Sequence, residues 1–226
     1  FMGKFGKLFE DYVRKVIDTT ELRYFAERDI QQRMPSDQKS VDFLVIENDD
    51  AILIDAKGVE MSFVARAALH PYDVIKATKD SVMKGIKQAY SVVQNLRSPN
   101  SDENLLVNKR LYIVIITYKH LFVGNGTTFY HSIAKSEIDK LAQEYGDEYL
   151  VPIENMFFMS IDEFDLLIES HLATQNSLGS IFDKVIERNS SPFNMSMFFG
   201  WSLIKIYPNL KMPRFLDQEI TRITEN

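Results

Sequence analysis

Three polar side chains, Asp42, Asp55 and Lys57, interrupt an apolar stretch of this 226-residue chain. They fall in two runs, Val-Asp-Phe-Leu-Val-Ile-Glu over residues 41–47 and Ala-Ile-Leu-Ile-Asp-Ala-Lys over 51–57. Between the runs stand the polar residues Asn48, Asp49 and Asp50. Two runs rich in Val, Ile and Leu around a polar turn predict a β-hairpin of central strands. Side chains alternate faces along a strand, so Asp55 and Lys57 share one face and Ala56 takes the other. If a two-residue turn pairs Glu47 with Asp50, Asp42 lies directly opposite Asp55, with Cβ atoms about 5 Å apart. A three-residue turn would shift the register by one and send the two carboxylates to opposite faces.

Facing carboxylates on central strands repel each other and lower stability unless positive charge sits between them. Lys57 supplies one such charge, and a divalent cation would supply more. Oxygen-only ligands suit Mg2+, with Mn2+ as a substitute, rather than zinc. The competing reading is a solvated hairpin carrying an ordinary salt bridge. The flanking residues are too apolar for a surface ribbon.

Asp42, a turn, then Asp55-Ala56-Lys57 resembles the signature of the PD-(D/E)XK nuclease superfamily. In that superfamily the two acids hold one or two Mg2+ ions. The resemblance therefore implies Asp42 and Asp55 as metal ligands, joined by the carbonyl of Ala56. It implies Lys57 as the group that generates or steadies the attacking hydroxide. Val41 stands where the motif has proline. Many members open with a helix bearing a glutamate near the metal, and Glu10, in Gly6-Lys7-Leu8-Phe9-Glu10, matches that pattern. Some branches present a glutamine or lysine from the helix after the Asp-x-Lys strand. Gln88 is the candidate for nucleic-acid contact, with Lys84 one turn before it. For Glu10, Gln88 and Lys84 the competing reading is a solvated helix face. The activity implied is hydrolysis of phosphodiester bonds in DNA, or in RNA, with phage defence or toxin action as the context by analogy.

These residues need elements to hold them. Apolar positions at helical spacing predict an amphipathic helix over 3–17, built on Phe5, Leu8, Phe9, Tyr12, Val13, Val16 and Ile17. Tyr24 and Phe25 suggest a short strand or a helix end, and 34–40 reads as a loop. Residues 60–72 read as a loop able to cover the site, with His70 structural or on the surface. A long helix is predicted over 73–96. Gly85 inside it would cost about 1 kcal/mol against Ala, which points to close packing on the sheet. A polar loop follows over 98–108. Residues 111–117, Leu-Tyr-Ile-Val-Ile-Ile-Thr, predict a buried strand. A shorter strand is expected over 121–123, then a Gly124-Asn125-Gly126 turn without the Lys-Ser or Lys-Thr of a phosphate loop. Further elements are a helix over 133–145, a strand over 156–159 and a helix opened by a Ser160…Glu163 capping box and running to about 172. Helices over 177–188 and 193–206 complete the chain.

The resulting order is an α/β architecture, a mixed central sheet flanked by helices. It agrees with the restriction-endonuclease-like core that the resemblance implies. That assigns residues 1–172 to a nuclease domain and 173–226 to a C-terminal helical extension packed on it. The apolar segment 193–206, with Trp201, is a core or docking element that could carry a homo-oligomer or a partner domain.

Composition narrows the classes. No apolar run reaches the roughly 18 residues of a membrane span. No apolar leader is visible, and Phe1 before Met2 points to a chain cut from something longer. The absence of cysteine removes disulfides, thiolate metal sites and cysteine nucleophiles, and fits a cytoplasmic protein. A net charge of −6 counts mildly against a nonspecific nucleic-acid binder but permits local basic clusters. Two other readings remain open: a catalytically inactive nucleic-acid-binding module on the same fold, and a protein-interaction module using the apolar C-terminal segment.

Overall fold

The computed structural model describes residues 2–58, 71–97, 105–146 and 149–210, with 2–3 and 71–80 as backbone only. Helix α1 (Met2–Ile17) leads into strand β1 (Arg23–Ala26) and the short helix α2 (Glu27–Gln31). Strands β2 (Phe43–Glu47) and β3 (Asp50–Lys57) form the hairpin. Helix α3 (Pro71–Arg97) crosses to β4 (Arg110–Thr117). Helices α4 (Gly126–Phe129) and α5 (Lys135–Tyr145), joined by a π-helical turn over Tyr130–Ala134, lead to β5 (Met156–Ser160). Helices α6 (Ile161–Thr174), α7 (Leu178–Ser190) and α8 (Phe199–Ile206) follow.

The five strands make one mixed sheet in the order β1-β2-β3-β4-β5. The first three pair antiparallel, and β3, β4 and β5 run parallel. Parallel neighbours need a crossover, which α3 provides between β3 and β4 and the α4–α5 segment between β4 and β5. Helices cover both faces, so the central strands are apolar on both sides. One core joins Leu44, Leu53, Ile113 and Ile115 to α3. The other joins Val45, Ile52, Val114 and Ile116 to α1, α6, α7 and α8. Helices α7 and α8 therefore bury Leu178, Phe182, Phe199 and Leu203 in the second core itself.

Several expectations are corrected. β2 begins at Phe43, so Asp42 occupies a bend one residue outside the strand. Residues 121–123 form no strand; Phe122 and Gly124 take positive φ values, which breaks the extended run. The helix expected from 133 begins earlier, at Gly126, because Asn125 Oδ1 caps it by accepting from Thr128 N–H at 2.9 Å. The last helix covers only Phe199–Ile206, and 191–198 is turn and coil. Helix α2 was not read from the sequence at all; at 5 residues it is too short to show a period. The Glu163 half of the capping box forms, its Oε2 accepting from Ser160 N–H at 3.0 Å. The loop expected over 60–72 and His70 lie outside the described residues up to 70; Pro71 and Tyr72 are already in α3. Most of the loop over 98–108 lies outside them as well.

Candidate functional site

The turn of the hairpin sets the site. Glu47 pairs with Asp50, leaving Asn48 and Asp49 as a two-residue turn. Asn48 takes φ 52°, a left-handed conformation that asparagine tolerates. The register runs on to Phe43 opposite Ile54. Its next step sets Asp42 opposite Asp55, on the face that carries Leu44, Leu53 and α3. Asp42 is anchored there: its Oδ2 accepts from the Ala56 N–H at 2.6 Å.

Asp55 is fully buried. Lys57 Nζ lies 2.5 Å from its Oδ2, as an ion-pair contact rather than an aligned hydrogen bond. Lys57 and a hydrogen bond with Asp42 both favour the ionised form of Asp55. Helix α3 presses on the pair through Gly85: a Cβ there would collide with Asp55 Oδ2 and with Ile115. The glycine is a close-approach position, which explains its place inside a long helix. One turn later Gln88 accepts from Lys57 Nζ at 3.1 Å and donates its Nε2 to the Ser40 carbonyl at 2.5 Å. The lysine head is thus fixed between Asp55 and Gln88. Lys84 is exposed on the same helix, and its charge favours the ionised form of Asp55.

Both carboxyls are hard to ionise. Burial first, then the charge of Asp55, pushes Asp42 up to about 7. The Ala56 N–H and Lys57 pull it only partly back. Burial likewise raises Asp55, against the lowering effect of Lys57. A fully buried acid and a half-buried one that both resist ionisation beside a lysine form a site that gains from added positive charge.

Glu10 stands apart. It sits on α1, in the layer on the other side of the sheet, and its Oε1 pairs with Arg14 at 3.3 Å. Its charge reaches Asp42 as the smallest of the named influences. Glu27 went unnoticed in the sequence. Ala26 pairs with Phe43 as the last pair of the β1–β2 ladder, and Glu27 opens α2 just beyond it. Burial, Glu10 and then Asp55 raise its carboxyl, while Lys57 lowers it. Glu10 influences both Asp42 and Glu27, and Asp55 does the same, so the four acids gather at this end of the sheet. The signal available was the acid ending the short Arg-Tyr-Phe-Ala run, which becomes informative only once β1 is known to pair with β2. Among the described residues no three His, Asp or Glu side chains close on a single point.

The fit to a divalent cation rests on Asp55. A fully buried carboxylate beside a second acid, with Lys57 as its close cation, is the oxygen donor chemistry that Mg2+ or Mn2+ takes. A hollow of about 340 Å³ lies elsewhere, lined by Asn125, Phe157, Ile186 and Asn189 among others, with Glu154 as its one titratable group. No described helix is long and apolar enough to cross a membrane. Comparison with family models, with curated proteins and with solved structures gives no match for this chain.

Proposed function

We propose that this protein is a metal-dependent nuclease of the PD-(D/E)XK type on a restriction-endonuclease-like core, hydrolysing phosphodiester bonds in DNA or RNA. The observation that carries the proposal is the hairpin register, which brings Asp42 against Asp55 beside Lys57. The order helix, three antiparallel strands, crossover helix and two parallel strands supports the same reading. Asp42, Asp55 and the Ala56 carbonyl are the proposed ligands for Mg2+, with Mn2+ as substitute. Bound there, the metal would polarise a phosphoryl oxygen and lower the pKa of water. Lys57, held by Gln88, orients that water or balances charge on the phosphoryl group. Gln88 acts through Lys57 and is a positioning residue.

A second reading has one observation in its favour. Asp55 and Gln88 already occupy the Lys57 ammonium, as in a binding module that has lost catalysis. Incubation with single-stranded and duplex DNA, supercoiled plasmid and tRNA under Mg2+, Mn2+ or EDTA separates the two. The nuclease reading expects metal-dependent cleavage that disappears in Asp55→Asn and Lys57→Ala. Binding without cleavage of any substrate supports the module.

A further inference from the structure

At the end of the sheet that carries the acids, Lys57, Thr117 and Ser160 stand in register on β3, β4 and β5. Neighbouring strands are about 4.8 Å apart, so the edge from Lys57 to Ser160 spans roughly 10 Å. A row of rings follows that edge. Phe5, beside Gly58, meets Tyr118 edge-on at 5.2 Å. Beyond Tyr118 come His120 and Phe122, which contact Phe198 at 4.7 and 5.5 Å between ring centroids. Phe198 meets Trp201 at 4.9 Å. Tyr118, Phe122 and Trp201 are 40%, 47% and 61% exposed, so large ring faces stand in solvent.

Two further features argue against an accidental patch. Phe122 holds φ 55°, a left-handed conformation that costs a bulky residue energy, and its ring is nonetheless left largely in solvent. Positive groups interleave with the rings. Lys119 Nζ lies 5.5 Å from the centre of the Tyr118 ring, and exposed Lys4 and Lys7 flank Phe5. His120 Nδ1 lies 3.3 Å from Glu163 Oε2; that hydrogen bond raises the imidazole pKa and keeps it cationic to higher pH.

The same residues invite another explanation, a Ser-His-Glu hydrolytic triad. Ser160 Oγ is 3.5 Å from His120 Nε2. The serine is 1% exposed, however, and the hollow beside it measures about 20 Å³, room for one water. No ester or amide carbon could reach its oxygen. The chemistry therefore lies on the outer ring faces.

We propose that Tyr118, His120, Phe122, Phe198 and Trp201 form a stacking platform for the unpaired bases of a single-stranded nucleic acid. The strand would pass round the edge of the sheet from the Asp42–Asp55 site. Aromatic faces interleaved with cations are the chemistry by which unpaired strands are held without sequence preference. The inference deepens the nuclease reading and rests on it for the class of substrate.

The chain has one tryptophan, Trp201, and it reports on its own surface. The full chain is titrated in EDTA with a short oligo(dT) and with the matching duplex. The expected result is quenching of Trp201 fluorescence by oligo(dT), with the duplex binding much more weakly. Phe122→Ala and, followed by anisotropy of a labelled oligo(dT), Trp201→Ala should each weaken binding roughly tenfold, the order expected for one stacked base. Both positions are exposed enough for the variants to fold, which thermal melts check. Binding of oligo(dT) without quenching, or with both variants at wild-type affinity, overturns the platform. So does concentration-dependent self-association in sedimentation that Trp201→Ala abolishes, since the patch would then seat a second copy of the chain. EDTA keeps this test apart from catalysis. Cleavage under Mg2+ without quenching removes the platform alone, whereas quenching without cleavage on any substrate removes the nuclease reading alone.

Discussion

Replacing Asp55 by asparagine should stabilise the metal-free protein while abolishing its activity. The sign follows from the two raised carboxyls. Each binds its proton more tightly in the folded state than in the unfolded chain. Well below the ordinary aspartate value of 3.8, both states are protonated and nothing is lost. As pH climbs towards about 7, where the folded Asp42 carboxyl releases its proton, stability drains away. Above that value the loss is complete. At about 1.36 kcal/mol per pH unit, moving Asp42 from 3.8 to about 7 corresponds to a ceiling on the order of 4 kcal/mol. Burial, which asparagine does not relieve, is the larger cause of that displacement, and the charge of Asp55 is second.

Asp55→Asn also removes the penalty of burying its own charge, but it takes away the counterion of Lys57. The balance is a gain of about 1 kcal/mol at neutral pH, or roughly 2–4 °C in melting temperature for a chain of this size. Near pH 4 the gain should vanish. Urea unfolding of wild type and variant in EDTA, at acid and neutral pH, measures both values. In parallel, Mn2+ should raise the melting temperature of the wild type and not of the variant, and the variant should not cleave. An Asp55→Asn protein that melts below wild type in EDTA and still cleaves makes Asp55 a plain structural partner of Lys57, and the reasoning fails.

Other substitutions probe the surrounding parts. Lys57→Ala should keep the Mn2+-induced rise in melting temperature and lose turnover, visible on a cleavage gel beside a thermal melt. Gly85→Ala should destabilise by about 1–3 kcal/mol, because the new methyl meets Asp55 and Ile115; denaturant unfolding reads this directly. Glu27→Gln should reduce the Mn2+-induced rise more than Glu10→Gln does, since Glu27 feels the charge of Asp55 while Glu10 is held by Arg14. Thermal melts of that pair across a Mn2+ series decide between the two glutamates.

The hairpin was legible because its information is local. Two apolar runs and a polar turn specify two strands, and the turn length alone fixes which carboxylate faces which. The long helix and the buried β4 strand were legible for a related reason: each carries its own period or its own apolar run. What escaped depends on contacts distant in sequence. α2 has no face of its own to bury beyond Ile30. The start of the α4–α5 segment depends on a cap by Asn125, whose turn was read only for a phosphate role it lacks. Residues 193–198 are as apolar as a helix core. Yet Phe193, Met195 and Met197 are exposed, and helix begins only at Phe199, where Gly200 N–H donates to Glu163 Oε1 at 2.7 Å.

The same division between local and distant information explains the uneven reading of the site. Asp42, Asp55 and Lys57 meet through a turn, so their spacing announces them. Gln88 meets Lys57 only because α3 crosses the sheet with Gly85 against Asp55, and a glycine in a helix predicts contact without naming its partner. Glu27 needs the pairing of β1 with β2, which no spacing encodes. Glu10 had the spacing of a family pattern, yet α1 packs in the opposite layer because Phe9, Val13 and Val16 are buried with Val45, Ile52 and Val114. A carboxylate on the flank of that helix reaches Asp42 round the end of the sheet, where Gly6 packs against Gly58. The apolar stripe of α1 therefore sets the place of Glu10, and Arg14 then takes its charge. Glu10 reaches the paired acids through Asp42 and Glu27 reaches them through Asp55, and the comparison of Glu27→Gln with Glu10→Gln tests which of the two is the third acid.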